Sequence, residues 1–161
     1  MFQTIAVEVV IIFLLVVANG VFAMSEIAVV SARKARLHSL ARQGSRKAAV
    51  ALQLAERPDR FLSTVQIGIT LIGVAAGAFG GATIAAQIDT YLETVPGLGG
   101  YSEAIGVGVV VLGITYLSLI IGELVPKRLA LNAPERIATA VAPGMNLLSR
   151  LASPAVSFLG F

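Results

Sequence analysis

The chain contains no cysteine. That excludes a disulfide framework, a thiolate metal site and a cysteine nucleophile. It has one histidine, His38, which sits among basic residues and reads as a surface group rather than a ligand. With no histidine near an apolar-run serine there is no nucleophile–base pair, which argues against hydrolase chemistry. Charge is scarce: 13% of 161 residues are Asp, Glu, Lys or Arg, against about a quarter in a soluble domain. No internal repeat or low-complexity tract is present. What the chain has instead is apolar sequence, 57% of the total. It reads as an integral membrane protein, and its length allows one domain. A net charge of +3 would suggest nucleic acid in a soluble chain. Here the basic residues flank apolar runs, so the partner they imply is membrane lipid, with no nucleic acid.

Three stretches meet the roughly 20 apolar residues that a spanning helix requires: 5–30, with its apolar run starting at Val9, then 61–88, and 104–123. Cleavage of the first as a signal peptide is not expected, because Glu8 makes its head acidic and its core is too long. Eight of the twelve basic residues lie between the first two spans (Arg33, Lys34, Arg36, Arg42, Arg46, Lys47, Arg57 and Arg60). Asp89, Glu93 and Glu103 lie between the second and third, without Lys or Arg. The positive-inside rule then predicts a multi-pass protein of the cell (inner) membrane, N-terminus outside and C-terminus cytoplasmic.

The segments 33–58 and 133–159 are expected to be interfacial. "ARKARLHSLARQG" sets Leu37 and Leu40 among basic residues, as in a helix lying at the headgroup layer. Gly44 is a natural stop, and a second helix runs on to Pro58. In the tail, Pro143, Arg150 and Pro154 argue against a fourth span and for short amphipathic helices. The fold class expected is all-α: three transmembrane helices, interrupted by Gly, Pro and polar residues, plus cytoplasmic juxtamembrane belt helices.

Each span carries polar or small residues on a stripe. In the first, Asn19-Gly20 and Ser25-Glu26 suggest a broken helix, with Gly20 as hinge. In the second, Gln66, Thr70, Gly73, Gly77 and Gly81 share one face; Gly68, Ser63 and Thr64 lie close by. The overlapping GxxxG patterns suit close helix approach. In the third, Thr115, Ser118 and Gly122 align, and Pro126 removes the usual partner of the residue 122 carbonyl. Glu123 and Lys127 are spaced i, i+4, which alone reads as a surface ion pair at a helix end. Together these amides, hydroxyls, carbonyls and carboxylates form a hard-oxygen set that suits Mg²⁺, Ca²⁺ or Na⁺ and suits zinc or copper poorly.

"NGVFAMSEIAVVSARKARL", "FLSTVQIGITLIGVAAGAFGG" and "LIIGELVPKRLALNAPERIA" closely resemble the transmembrane domain of the CorC/cyclin-M (CNNM) magnesium transporter family. The resemblance implies a homodimer that exports Mg²⁺, coupled to Na⁺ influx, by alternating access through an inward-facing cavity. It implies a metal site drawn from Asn19, Ser25, Gln66, Gly68, Thr70, Ser118 and the Gly122 carbonyl. Glu26, Ser63, Thr64 and Glu123 would line the pathway, Lys127 would pair with Glu123, and Gly20 and Pro126 would be hinges. The alternative use of the same site is a non-transporting magnesium sensor or regulatory membrane subunit. The family continues into cytoplasmic regulatory domains, so the sequence is expected to be a truncated form that lacks them.

Overall fold

The computed structural model describes residues 2–158, with side-chain surroundings for residues 5–80 and 83–153. The described chain is helical, and no strand occurs among those residues. Three stretches are long and apolar enough to cross a membrane: Ile5–Ser31, Pro58–Phe79 and Ser102–Asn132. Most of their residues are not buried within the chain. Their side chains are instead aliphatic and outward, as at Leu71, Val74, Val109, Leu112 and Leu117, the composition lipid requires.

Helix α1 (Phe2–Ser31) is continuous through Asn19-Gly20, so the expected break there does not occur. Gly20 is instead a point of close approach. A β-carbon at that position would lie 2.9 Å from the Ile121 carbonyl oxygen and 2.9 Å from Pro126 Cγ. The glycine is needed for a neighbour, not for a bend.

Helices α2 (Lys34–Arg42) and α3 (Arg46–Glu56) follow, with Gly44 between them at φ +94°. Only glycine adopts that left-handed geometry without strain. Ser45 caps α3, its Oγ accepting the Ala48 N–H at 3.2 Å, which satisfies one of the first-turn donors.

Helix α4 (Pro58–Phe79) begins with proline in its first turn, where the missing N–H has no cost. A π-helical turn over Gly80–Ile84 then leads directly into α5 (Ala85–Glu93). The second helix thus runs five residues past the expected end at Ile88. The third element repeats the device: α6 (Ser102–Leu119), a π-helical turn over Ile120–Leu124, and α7 (Val125–Asn132). Pro126 does not end the helix. The π-turn widens the backbone one turn ahead of it and so accommodates the ring.

Helix α8 (Pro134–Phe158) is one helix of 25 residues, where the sequence suggested short pieces. Pro143 lies on its exposed side, while Ala138, Ala142 and Met145 are buried against the rest of the chain. Burial of that face offsets the roughly 3 kcal/mol helix cost of a proline.

The main core lies at the basic end of the molecule. Ala28 and Val29 of α1, Leu37 of α2, Ala51 and Leu54 of α3, Phe61 and Val65 of α4 and the buried face of α8 form one cluster. The belt helices therefore clamp the ends of the first two spans. The membrane-crossing parts beyond it meet through glycines. Gly68 faces the Phe22 ring, Gly80 faces Ile114, and Gly106 sits against the Ala85 carbonyl. Removing a side chain at such points lets backbones approach, the main source of helix association in lipid.

Candidate functional site

The second π-turn is where α1 and the third membrane helix come closest. Gly122 is buried there. A β-carbon on it would lie 3.1 Å from Asn19 Nδ2 and 3.3 Å from the Val16 carbonyl oxygen. A π-turn and a proline at i+4 disturb the backbone ladder, and the Gly122 carbonyl finds its partner on another helix. Asn19 Nδ2 donates to it at 3.2 Å. Two glycines, Gly20 and Gly122, thus hold one amide against one carbonyl well inside two apolar helices. Asn19 is twelve residues from Ser31, about 18 Å along the helix at 1.5 Å per residue.

That hydrogen bond fixes the other end of the asparagine. Asn19 Oδ1 is buried and has no hydrogen-bond partner among the described residues. Leaving such an oxygen unsatisfied costs about 1–3 kcal/mol. Asn19 also lines a cavity of about 390 Å³, together with Gly73 and Gly77 of α4 and Thr115, Ser118 and Glu123 of the third helix. The remaining walls are aliphatic, from Val107, Val110, Val111, Ile114 and Leu119.

Glu123 is the only carboxylate among the lining residues. Its Oε1 receives Lys127 Nζ at 2.5 Å, the i, i+4 pair expected from the sequence. The pair is partly exposed, and so adds little to stability. Among the described residues no group of three His, Cys, Asp or Glu side chains could hold a metal. A cation in this cavity would meet neutral oxygens and one carboxylate, a donor set for a hard ion held weakly.

Of the candidate metal residues, Asn19, Ser118 and Gly122 come together at this cavity and π-turn. Glu123 joins them, with Lys127 bonded to it. The others lie elsewhere. Ser25 is fully buried, and its Oγ donates to the Val21 carbonyl at 2.6 Å. Glu26 is half-buried, and Gln66 and Thr70 are exposed on α4. Gly68 packs on Phe22. Ser63 and Thr64 donate to the carbonyls of Asp59 and Arg60, at 2.9 and 2.8 Å. Of the two hinge candidates, Gly20 lies inside a straight helix and Pro126 just past the π-turn.

The lining also includes Thr115, Gly73 and Gly77, which sequence reasoning placed on stripes but not in the candidate site. The missed signal was the pairing of two stripes across helices: glycines in one span leave room opposite hydroxyls in another. The π-turn itself has a sequence trace in Gly122-Glu123 followed by Pro126, a glycine four residues ahead of a proline inside an apolar run.

The fold and this cavity define a membrane domain with a largely aliphatic pocket between helices that carries a few polar groups. Residues 10–161 match the family described as the Cyclin M transmembrane N-terminal domain, and the chain belongs to that family. It is 54% identical, over 98% of its length, to the UPF0053 protein sll0260 of Synechocystis sp., covering 35% of that protein. It is 31% identical, over 74% of its length, to the UPF0053 inner membrane protein YfjD of Escherichia coli, covering 25% of it. It is 29% identical, over 89% of its length, to a polyamine export protein of Haemophilus influenzae, covering 33% of it. The chain thus spans about a third or less of the length of these relatives.

Proposed function

We propose that this domain exports Mg²⁺ as a homodimer, with Na⁺ influx as the coupled movement, through the cavity between α1, α4 and the third helix. The observation that carries this reading is Asn19. Its amide nitrogen is committed to the Gly122 carbonyl and its oxygen is buried without a partner, beside Ser118 and Glu123. That oxygen is shielded as the side chain stands, so a cation in the cavity meets it only when the α1–π-turn contact opens. Mg²⁺ dehydrates reluctantly and keeps several waters. Six waters occupy roughly 180 Å³ at ~30 Å³ each, so the hydrated ion fits a cavity of about 390 Å³. Thr115 and Ser118 then act on its water shell, and Glu123 supplies charge once it releases Lys127.

The basic belt faces the cytoplasm under the positive-inside rule, so cargo is loaded from the cytoplasmic side. The α1–π-turn contact and the two π-turns are the elements whose rearrangement opens the cavity to the other face.

A second reading has support of its own. The cavity walls are largely aliphatic, which suits the methylene chain of a polyamine, and one relative is a polyamine export protein. Proteoliposomes loaded separately with Mg²⁺ and spermidine, with and without an imposed Na⁺ gradient, decide between them. Mg²⁺ efflux that spermidine does not inhibit supports the first reading. Spermidine efflux without Mg²⁺ flux replaces it with the second. Mg²⁺ binding without flux of either makes the domain a sensor.

A further inference from the structure

Away from that cavity, the basic belt contains a second pocket, of about 180 Å³, lined by Arg57, Arg60 and Arg150 together with Gln53, Asn146 and Ser149. Its remaining lining is Leu54 and Phe61, which are 7% and 1% exposed. The arginines arrive from three places: the junction of α3 and α4, the first turn of α4, and α8. Among the described residues none of them has a carboxylate within 4 Å. Glu56 and Asp59 are exposed neighbours in sequence and do not reach them. Arg60 Nη2 donates to Ser153 Oγ of α8. Thr64 and Ser149 lie 3.4 Å apart, oxygen to oxygen, tying α4 to α8 at the same place.

All three arginines are exposed at the rim of this pocket, and an anion held among them would offset their mutual repulsion. Their planar forks match phosphate oxygens bidentately. Gln53, Asn146 and Ser149 add neutral donors. The buried Phe61–Leu54 side offers an apolar surface beside the charged one. A topology signal needs only basic residues near the membrane; it does not need three of them to converge from separate helices.

We propose that this pocket binds a phosphate-bearing anion, and that its source is the headgroup of an anionic phospholipid of the adjoining leaflet. Bound there, the lipid bridges α4 to α8 and sets the angle at which the second span leaves the belt. The site is separate from the cation cavity and does not depend on which cargo crosses.

Native mass spectrometry of the purified protein, titrated with phosphatidylglycerol, phosphatidylcholine or inorganic phosphate, tests this. Combined R57Q, R60Q and R150Q is expected to weaken phosphatidylglycerol binding by at least ~100-fold, since the loss of each charge-assisted guanidinium–phosphate bond is alone worth about tenfold or more. A control removing three belt charges outside the pocket, R42Q with R46Q and K47Q, is expected to change it less than about twofold, as screened surface charges do. If the triple variant does not fold, Arg150→Gln alone should weaken binding by about tenfold or more. Inorganic phosphate binding that the triple variant abolishes, without lipid binding, keeps the site and moves its source to soluble phosphate. Equal loss in the pocket and control variants, or phosphatidylcholine binding as tightly as phosphatidylglycerol, overturns the proposal.

Discussion

Gly20→Ala tests whether α1 meets the third helix by close packing or bends at a hinge. The added methyl would sit 2.9 Å from the Ile121 carbonyl oxygen and 2.9 Å from Pro126 Cγ. Both neighbours are backbone or ring, so neither moves aside as a flexible chain end would. Overpacking of this kind costs about 1–3 kcal/mol. Against it stands the gain in helix propensity from glycine to alanine, about 1 kcal/mol. Gly73→Ala and Gly77→Ala receive the same gain, and a β-carbon at either meets nothing within 4 Å. Subtracting one variant from the other removes the propensity term and leaves the clash. Gly20→Ala should therefore melt below Gly73→Ala by roughly 2–12 °C, taking ~2–4 °C per kcal/mol for a domain of this size. Thermal unfolding of the purified variants in one detergent measures it. A hinge at Gly20 predicts no difference, since alanine would then stiffen the helix without a clash. Equal melting temperatures for the two variants would refute the packing argument.

Asn19→Leu keeps the branching and heavy-atom count but removes the donor to the Gly122 carbonyl and the unsatisfied oxygen together, so the two stability effects oppose each other while Mg²⁺ flux in proteoliposomes should fall by at least ~10-fold if that side chain positions the cargo. Glu123→Gln should leave the melting temperature within about 4 °C, because a part-exposed ion pair is worth ~0–1 kcal/mol, while lowering Mg²⁺ affinity; Lys127→Gln should raise that affinity by freeing the carboxylate, as titration calorimetry would show. Gly44→Ala forces a side chain into φ +94° and should destabilise the belt by about 1–2 kcal/mol with no change in cation affinity, read by denaturant unfolding beside the same calorimetry.

The three spans and the belt were legible because they rest on strong one-dimensional signals: uncharged runs, and the clustering of Arg and Lys. Gly44 was legible as a stop for the same reason. Helix continuity was not. Gly20, Pro126 and Pro143 carry local signals for breaks, and in each case tertiary contact decided otherwise. Gly20 accommodates Pro126, Pro126 follows a π-turn, and Pro143 lies on the outer side of a helix whose other face is buried. In the site, Asn19, Ser118, Gly122 and Glu123 meet as their stripes suggested. Ser25, Gln66 and Thr70 share similar depth without sharing that cavity. Depth follows from counting residues along a helix. Rotation about the helix axis, which decides what a side chain faces, depends on the glycine contacts between helices.

The central claim is that the cavity beside the α1–π-turn contact holds the cation. The most direct measurement is Mg²⁺ binding to the purified protein by titration calorimetry, wild type beside Asn19→Leu combined with Ser118→Ala, with K⁺ as the competing ion. The account predicts Mg²⁺ binding that K⁺ does not displace, weakened by at least ~10-fold in the double variant, equivalent to about 1.4 kcal/mol. Undiminished Mg²⁺ affinity in a correctly folded double variant would contradict it.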